Sequence, residues 1–252
     1  TSEEKFIGRG NLGLPIMIKN SIPLSKKMGL VTEPVIAMKR TIKVKPGEET
    51  IVDFILSVGE DKEKVKENLQ KFKSAEKVKT EFELSKARVE AENRYLRLKG
   101  KDIALYQKML SYLIFDNPLK SNRNQKQYKQ EELWKYGISG DLPIILVKIQ
   151  NVNDANVIRE VLKAYEFFRA KNIETEMVIL DEERHSYENY VREEIESSIL
   201  NQHMAFLKNI KGGIFTLSKG EVDKRDIELL EFLASIIIDS KKGGIKNEHL
   251  AR

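Results

Sequence analysis

After Gly140 the chain alternates strand-length apolar runs with helix-period segments, and this rhythm constrains its fold more than any other feature. "LPIILVKI" is a near-continuous apolar run of strand length, and Asn153 or Asp154 is placed to cap a helix carrying Val157, Val161, Leu162, Tyr165 and Phe168. "TEMVILDE" predicts a second strand, followed by a helix through Tyr190, Ile195 and Ile199 that Ser186 would cap. "GGIFTLS" predicts a third strand, and Asp223 would cap a last helix with Ile227, Leu230, Leu233 and Ile237. Strands joined by helical crossovers are generally parallel, with helices covering the sheet faces. Residues 137–240 therefore predict a small three-layer βαβαβα unit on a mainly parallel three-stranded sheet, and residues 241–252 a tail.

The preceding residues have other periods. Residues 1–59 read as a β-strand segment: Thr41-Ile42-Lys43-Val44 and Thr50-Ile51-Val52-Asp53-Phe54 flank a Pro46-Gly47 turn, the pattern of a hairpin. Two strands do not make an independent domain, so this segment calls for partners. From Asp61 the apolar residues Val65, Leu69, Phe72, Val78, Phe82, Val89 and Leu96 form one narrow stripe, predicting a long linker helix or a broken pair. Gly100 reads as a stop and Asp102 as the N-cap of "IALYQKMLSYLIF", a helix apolar on most faces. Asn117-Pro118 ends it, and a polar loop leads to Tyr136; residues 60–136 are thus a helical linker and loop. The whole is a mixed α/β chain.

Composition excludes several functions. The net charge is +5, but residues 60–101 interleave 13 basic with 9 acidic side chains, the pattern of a solvated helix. Without a basic arm or an RNP-type aromatic motif, a nucleic-acid partner is not expected. No cysteine is present, which removes disulfides, thiolate ligands and cysteine nucleophiles and fits a reducing compartment. His185, His203 and His249 lack metal-ligand spacing, so neither a metal nor another cofactor is expected. No apolar run approaches the roughly 20 residues that span a bilayer, so membrane insertion is not expected either. The chain opens on Thr1 without a signal peptide, which reads either as a processed chain or as an internal piece of a longer protein, and the lack of cysteine suits the cytoplasm.

Two clusters could carry chemistry. Gly137-Ile138-Ser139-Gly140-Asp141 precedes a strand, whereas phosphate cradles lie between a strand and a helix N-terminus. A glycine-permitted turn, in which Asp141 accepts backbone amides, is the simpler account. Just before it, Trp134 and Tyr136 could stack on sugar rings or pack under the loop. The second cluster, Leu180 to Tyr187, holds Asp181, Glu182, Glu183 and His185 at the carboxyl end of the second strand, where open α/β sheets bind ligands. Neighbours on a strand face opposite sides, which argues against a catalytic carboxylate pair there. Asp141 would lie at the other end of the sheet from Asp181.

Six segments, "FIGRGNLGLP", "TEPVIAMKRTIKVKPGEE", "LYQKMLSYLIF", "LWKYGISGDLPIILVKI", "MVILDEE" and "KGGIFTL", occur in an order that resembles a region of the cyclic β-1,2-glucan synthases. That region belongs to the part related to glycoside hydrolase family 94 phosphorylases, and the resemblance runs from Phe6 to about Gly244, with GISGDLPI its most specific piece. Asp181 stands where asparagine is expected and Lys211 where proline is expected. The resemblance implies a parent enzyme that joins a membrane-associated, UDP-glucose-dependent glucosyltransferase to a phosphorylase-like part acting on β-1,2-glucan. It implies β-sandwich modules, a helical linker and an (α/α)6 catalytic barrel, of which this chain looks like the end of a sandwich, the linker and an intervening α/β unit. The barrel's signature residues do not appear, so no catalytic residue is assigned.

Three function classes follow: a structural or carbohydrate-contacting segment docked on neighbouring domains of its parent and on β-glucan, a glycan-active enzyme in its own right, and a protein-interaction module using the helix at 61–99. The candidate carbohydrate contacts are Trp134, Tyr136, Asp141, Asp181, Glu182 and His185.

Overall fold

The computed structural model describes residues 3–8, 13–24, 36, 38–115, 129–183 and 190–245. His185, the expected cap Ser186, Asn117-Pro118 and most of the polar loop lie outside the described residues. The chain divides into two compact units, residues 1–78 and 79–252.

In the first unit two short helices, α1 (Glu3–Ile7) and α2 (Ile16–Lys19), precede the Pro46-Gly47 turn. The turn forms as expected: Gly47 takes φ +82° and the Glu48 amide donates to the Lys45 carbonyl at 3.0 Å. The flanking segments are not paired into a ladder among the described residues. Their apolar side chains face solvent, Ile42, Val44, Phe54, Leu56 and Val58 among them. A hairpin with one apolar face needs something to cover that face before its ladder is stable. The expected linker helix is a pair: α3 (Lys62–Lys71), capped by the Asp61 carboxylate accepting from the Lys64 amide at 2.7 Å, and α4 (Ala75–Tyr95).

The second unit carries the α/β core. Strands β1 (Ile144–Ile149), β2 (Glu176–Asp181), β3 (Ile214–Ser218) and β4 (Ile236–Asp239) form one parallel sheet in the order β3-β2-β1-β4. The sheet has one strand more than the sequence reading. Ile237 belongs to β4 and not to helix α8 (Lys224–Leu233), because the chain turns extended at Ala234 and the Ser235 amide bonds the Ile144 carbonyl at 2.8 Å. The three consecutive isoleucines at 236–238 then suit a strand better than another helical turn.

Alternation along each strand builds two apolar layers. Ile145, Val147, Ile149, Met177, Ile179, Ile214, Ile236 and Ile238 pack with helices α5 (Gly100–Ile114), α6 (Ala155–Ala170) and α7 (Tyr190–Asn201). Ile144, Leu146, Val178, Leu180 and Phe215 pack on the opposite face with α8 and with Leu133 and Ile138. Each fully buried side chain of this size contributes on the order of 1.5–3 kcal/mol. Helix α5, read from sequence as part of a linker, joins the core through Tyr106, whose ring centroid lies 5.6 Å from that of Phe167. Gly100 opens this helix instead of stopping its predecessor. Asp102 caps it from inside the first turn, accepting from the Lys99 amide at 3.0 Å.

Candidate functional site

At the amino end of the sheet, the segment before β1 is a 3₁₀ turn, Gln130–Tyr136, closed by Gly137 in the left-handed region at φ +76°. Gly140 is also left-handed at φ +70°, and a Cβ there would lie 2.6 Å from the Gln130 Cγ, so any side chain would strain the backbone and push Gln130 aside. The loop amides do not bond Asp141, as the sequence suggested, but Glu176. Its carboxylate accepts from Ser139 N at 3.2 Å on one oxygen and from Gly140 N at 3.1 Å on the other, and the residue is fully buried. The reason is register: Glu176 opens β2 directly opposite Ile144, beside the loop that enters β1. Asp141 instead accepts from the Gln130 amide at 2.9 Å and from Lys211 Nζ at 3.2 Å. Those hydrogen bonds, with Lys211 the larger influence, hold its carboxyl below the ordinary carboxylate range.

The two aromatics before the loop have separate fates. Tyr136 donates its hydroxyl to Asp226 at 2.6 Å, and Lys135 Nζ sits 2.6 Å from the same buried carboxylate. Burial pushes Asp226 up, but the hydrogen bonds from Lys135 and Tyr136 outweigh it and hold the carboxyl below its usual value. Burial, then the bond to Asp226, pushes the Tyr136 hydroxyl up. Trp134 remains 61% exposed, its indole N–H donating to the Ser139 carbonyl at 3.2 Å.

At the carboxyl end, Asp181 is 7% exposed and accepts from the Glu183 amide at 2.8 Å. Burial pushes its carboxyl above the ordinary value, against the pull of that amide. It lines a small recess with Arg192, Ile195, Thr216, Leu217 and Ser218. Both oxygens of Glu182 are engaged, one by Lys219 Nζ at 2.9 Å and the other by the Gln150 amide at 2.9 Å.

The sheet thus places Trp134, Tyr136 and Asp141 at one end and Asp181 and Glu182 at the other, a strand length of about 17–20 Å apart. No group of three or more histidines and acids able to hold a metal occurs among the described residues. Sequence reasoning missed Glu176 and Asp226. The signal for the first was an acid at the head of a strand, followed directly by the apolar run "MVIL". For the second it was an acid in the first turn of an amphipathic helix, four residues before Leu230 on the buried face.

A family model described as glycosyl hydrolase 94, supersandwich domain, matches residues 1–75. Over 254 aligned residues the chain is 23% identical to cyclic beta-(1,2)-glucan synthase NdvB of Rhizobium meliloti (strain 1021). The match covers 98% of this chain and 9% of that protein, so the chain spans less than a tenth of its relative's length. The chain is accordingly related to a region of the cyclic β-1,2-glucan synthases, and it opens on supersandwich sequence of the glycosyl hydrolase 94 type.

Proposed function

We propose that this chain is a non-catalytic, structural segment of a cytoplasmic β-glucan synthase or phosphorylase-like enzyme. The observation that carries the reading is the separation of the candidate acids: Asp141 and Asp181 stand at opposite ends of the sheet. Glu182 and Glu176 are spent on internal bonds. A glycosidase-type pair must face one bond from within roughly 5–9.5 Å, and these residues do not. Support for docking on neighbouring domains comes from the first unit, where Val52, Phe54, Leu56 and Val58 are exposed at every second position. An exposed apolar row of that kind is suited to being covered by a neighbouring domain. No helix among the described residues is long and apolar enough to cross a membrane.

A second reading has one observation behind it. Asp181 is a buried carboxyl with a raised pKa lining a recess, which is the environment a general acid needs. Assaying the chain with β-1,2-glucan and phosphate separates the two. The structural reading expects no glucose 1-phosphate. Turnover that disappears in Asp181→Asn would establish the enzyme reading instead.

A further inference from the structure

The exposed Trp134 is tied to the loop beside it. Tryptophan is highly buried on average, so a mostly exposed one calls for an account. Here the indole N–H is tied to the Ser139 carbonyl at 3.2 Å, and the Gln130 amide meets the same carbonyl at 3.0 Å. Gln130 also donates to Asp141 at 2.9 Å, and Asp141 binds Lys211 at 3.2 Å. Asp141 and Lys211 keep side-chain exposures of 60% and 64%. One continuous surface therefore runs from an aromatic ring through an amide to a carboxylate and an ammonium. Its base is fixed from below by the buried Glu176 carboxylate on the Ser139 and Gly140 amides.

We propose that this surface is a saccharide subsite: a pyranose ring stacks its C–H face on Trp134 while its hydroxyls reach the exposed edges of Asp141 and Lys211. A pyranose is apolar across its face and polar around its rim, which is the layout of the surface. The charged rim beside the ring suits a sugar better than an apolar protein segment. The anchored indole and the Glu176-braced loop lose little further freedom on binding, so contact costs little ordering entropy. Tyr136, by contrast, is turned away to Asp226 and takes no part.

This inference rests on the reading of the chain as a segment of a β-glucan synthase or phosphorylase-like enzyme. Trp134 is the single tryptophan, so its fluorescence reports the site directly. Titration of the whole chain with a linear β-1,2-linked gluco-oligosaccharide is expected to shift that emission saturably. Calorimetry is expected to give the same affinity, weakened about tenfold in Lys211→Ala or Trp134→Ala, with circular dichroism unchanged. Absence of any saturable signal, or calorimetric binding that survives Trp134→Ala undiminished, overturns the subsite and leaves the structural reading intact. Product release during the titration would instead overturn the structural reading.

Discussion

Glu176 and Gly140 are joined by a hydrogen bond of 3.1 Å between a fully buried carboxylate oxygen and a backbone amide, and the other oxygen of the same carboxylate takes Ser139 N. One side chain at the head of β2 thus fixes the loop that feeds β1. Glu176→Ala would leave two half-buried amides without their acceptor, at a cost of roughly 1–2 kcal/mol. Glu176→Gln keeps one acceptor and is expected to cost less. Urea unfolding of both variants, compared at constant m-value, measures the difference.

The Asp226 carboxylate should make the chain acid-labile. Burial raises its pKa, but Lys135 and Tyr136 lower it further than burial raises it, so the folded value lies below the unfolded one. A carboxyl of that kind contributes stability that is present above its unfolded pKa and lost as pH falls through the folded value. Tyr136→Phe removes one of its two donors and is expected to cost about 1 kcal/mol at neutral pH. The deficit should narrow in acid, which a series of melting curves across pH would show.

Asp181 should behave in the opposite sense. Burial raises its pKa, outweighing the Glu183 amide, so its contribution is greatest below the unfolded value and is lost as pH rises through the folded one. Asp181→Asn preserves an acceptor for the Glu183 amide at 2.8 Å and removes the buried charge. A rise in Tm of roughly 2 °C at neutral pH is expected, vanishing in acid. A fall in Tm at neutral pH would mean that the charge is paired in a way this geometry does not contain.

Gly213 admits no side chain. A Cβ there would lie 2.1 Å from the Leu207 carbonyl oxygen and 2.7 Å from that of Ile210, and backbone cannot move aside as a flexible side chain can. Gly213→Ala is expected to destabilise by about 3 kcal/mol or to prevent folding, read by soluble yield and denaturant midpoint.

The alternation of strand and helix after Gly140 was legible because periods of 2 and 3.6 leave different apolar patterns, and three of the four strands follow directly from it. The fourth was hidden. Ile236 to Ile238 follow helix α8 without glycine or proline, so a helical continuation through Ile237 fitted the spacing equally well, and only the Ser235 bond to Ile144 decides the matter. The role of Gly137 to Asp141 as a turn was legible from its glycines, but its partner was not. Asp141 is near in sequence, whereas Glu176 becomes near only once β1 and β2 pair. The strand pattern at 41–58 was readable and its turn forms, yet a ladder depends on what covers its apolar face, which no local pattern specifies.

The central claim is that Glu176 holds the Ser139–Gly140 loop as a strut, with both loop amides spent on its carboxylate and neither left to cradle a phosphate. Amide hydrogen exchange at those two residues, with and without phosphate, tests it most directly. The account predicts that both amides are protected without phosphate, that phosphate changes neither, and that Glu176→Ala exposes both. Fast exchange at Ser139 and Gly140 that slows on adding phosphate would contradict it.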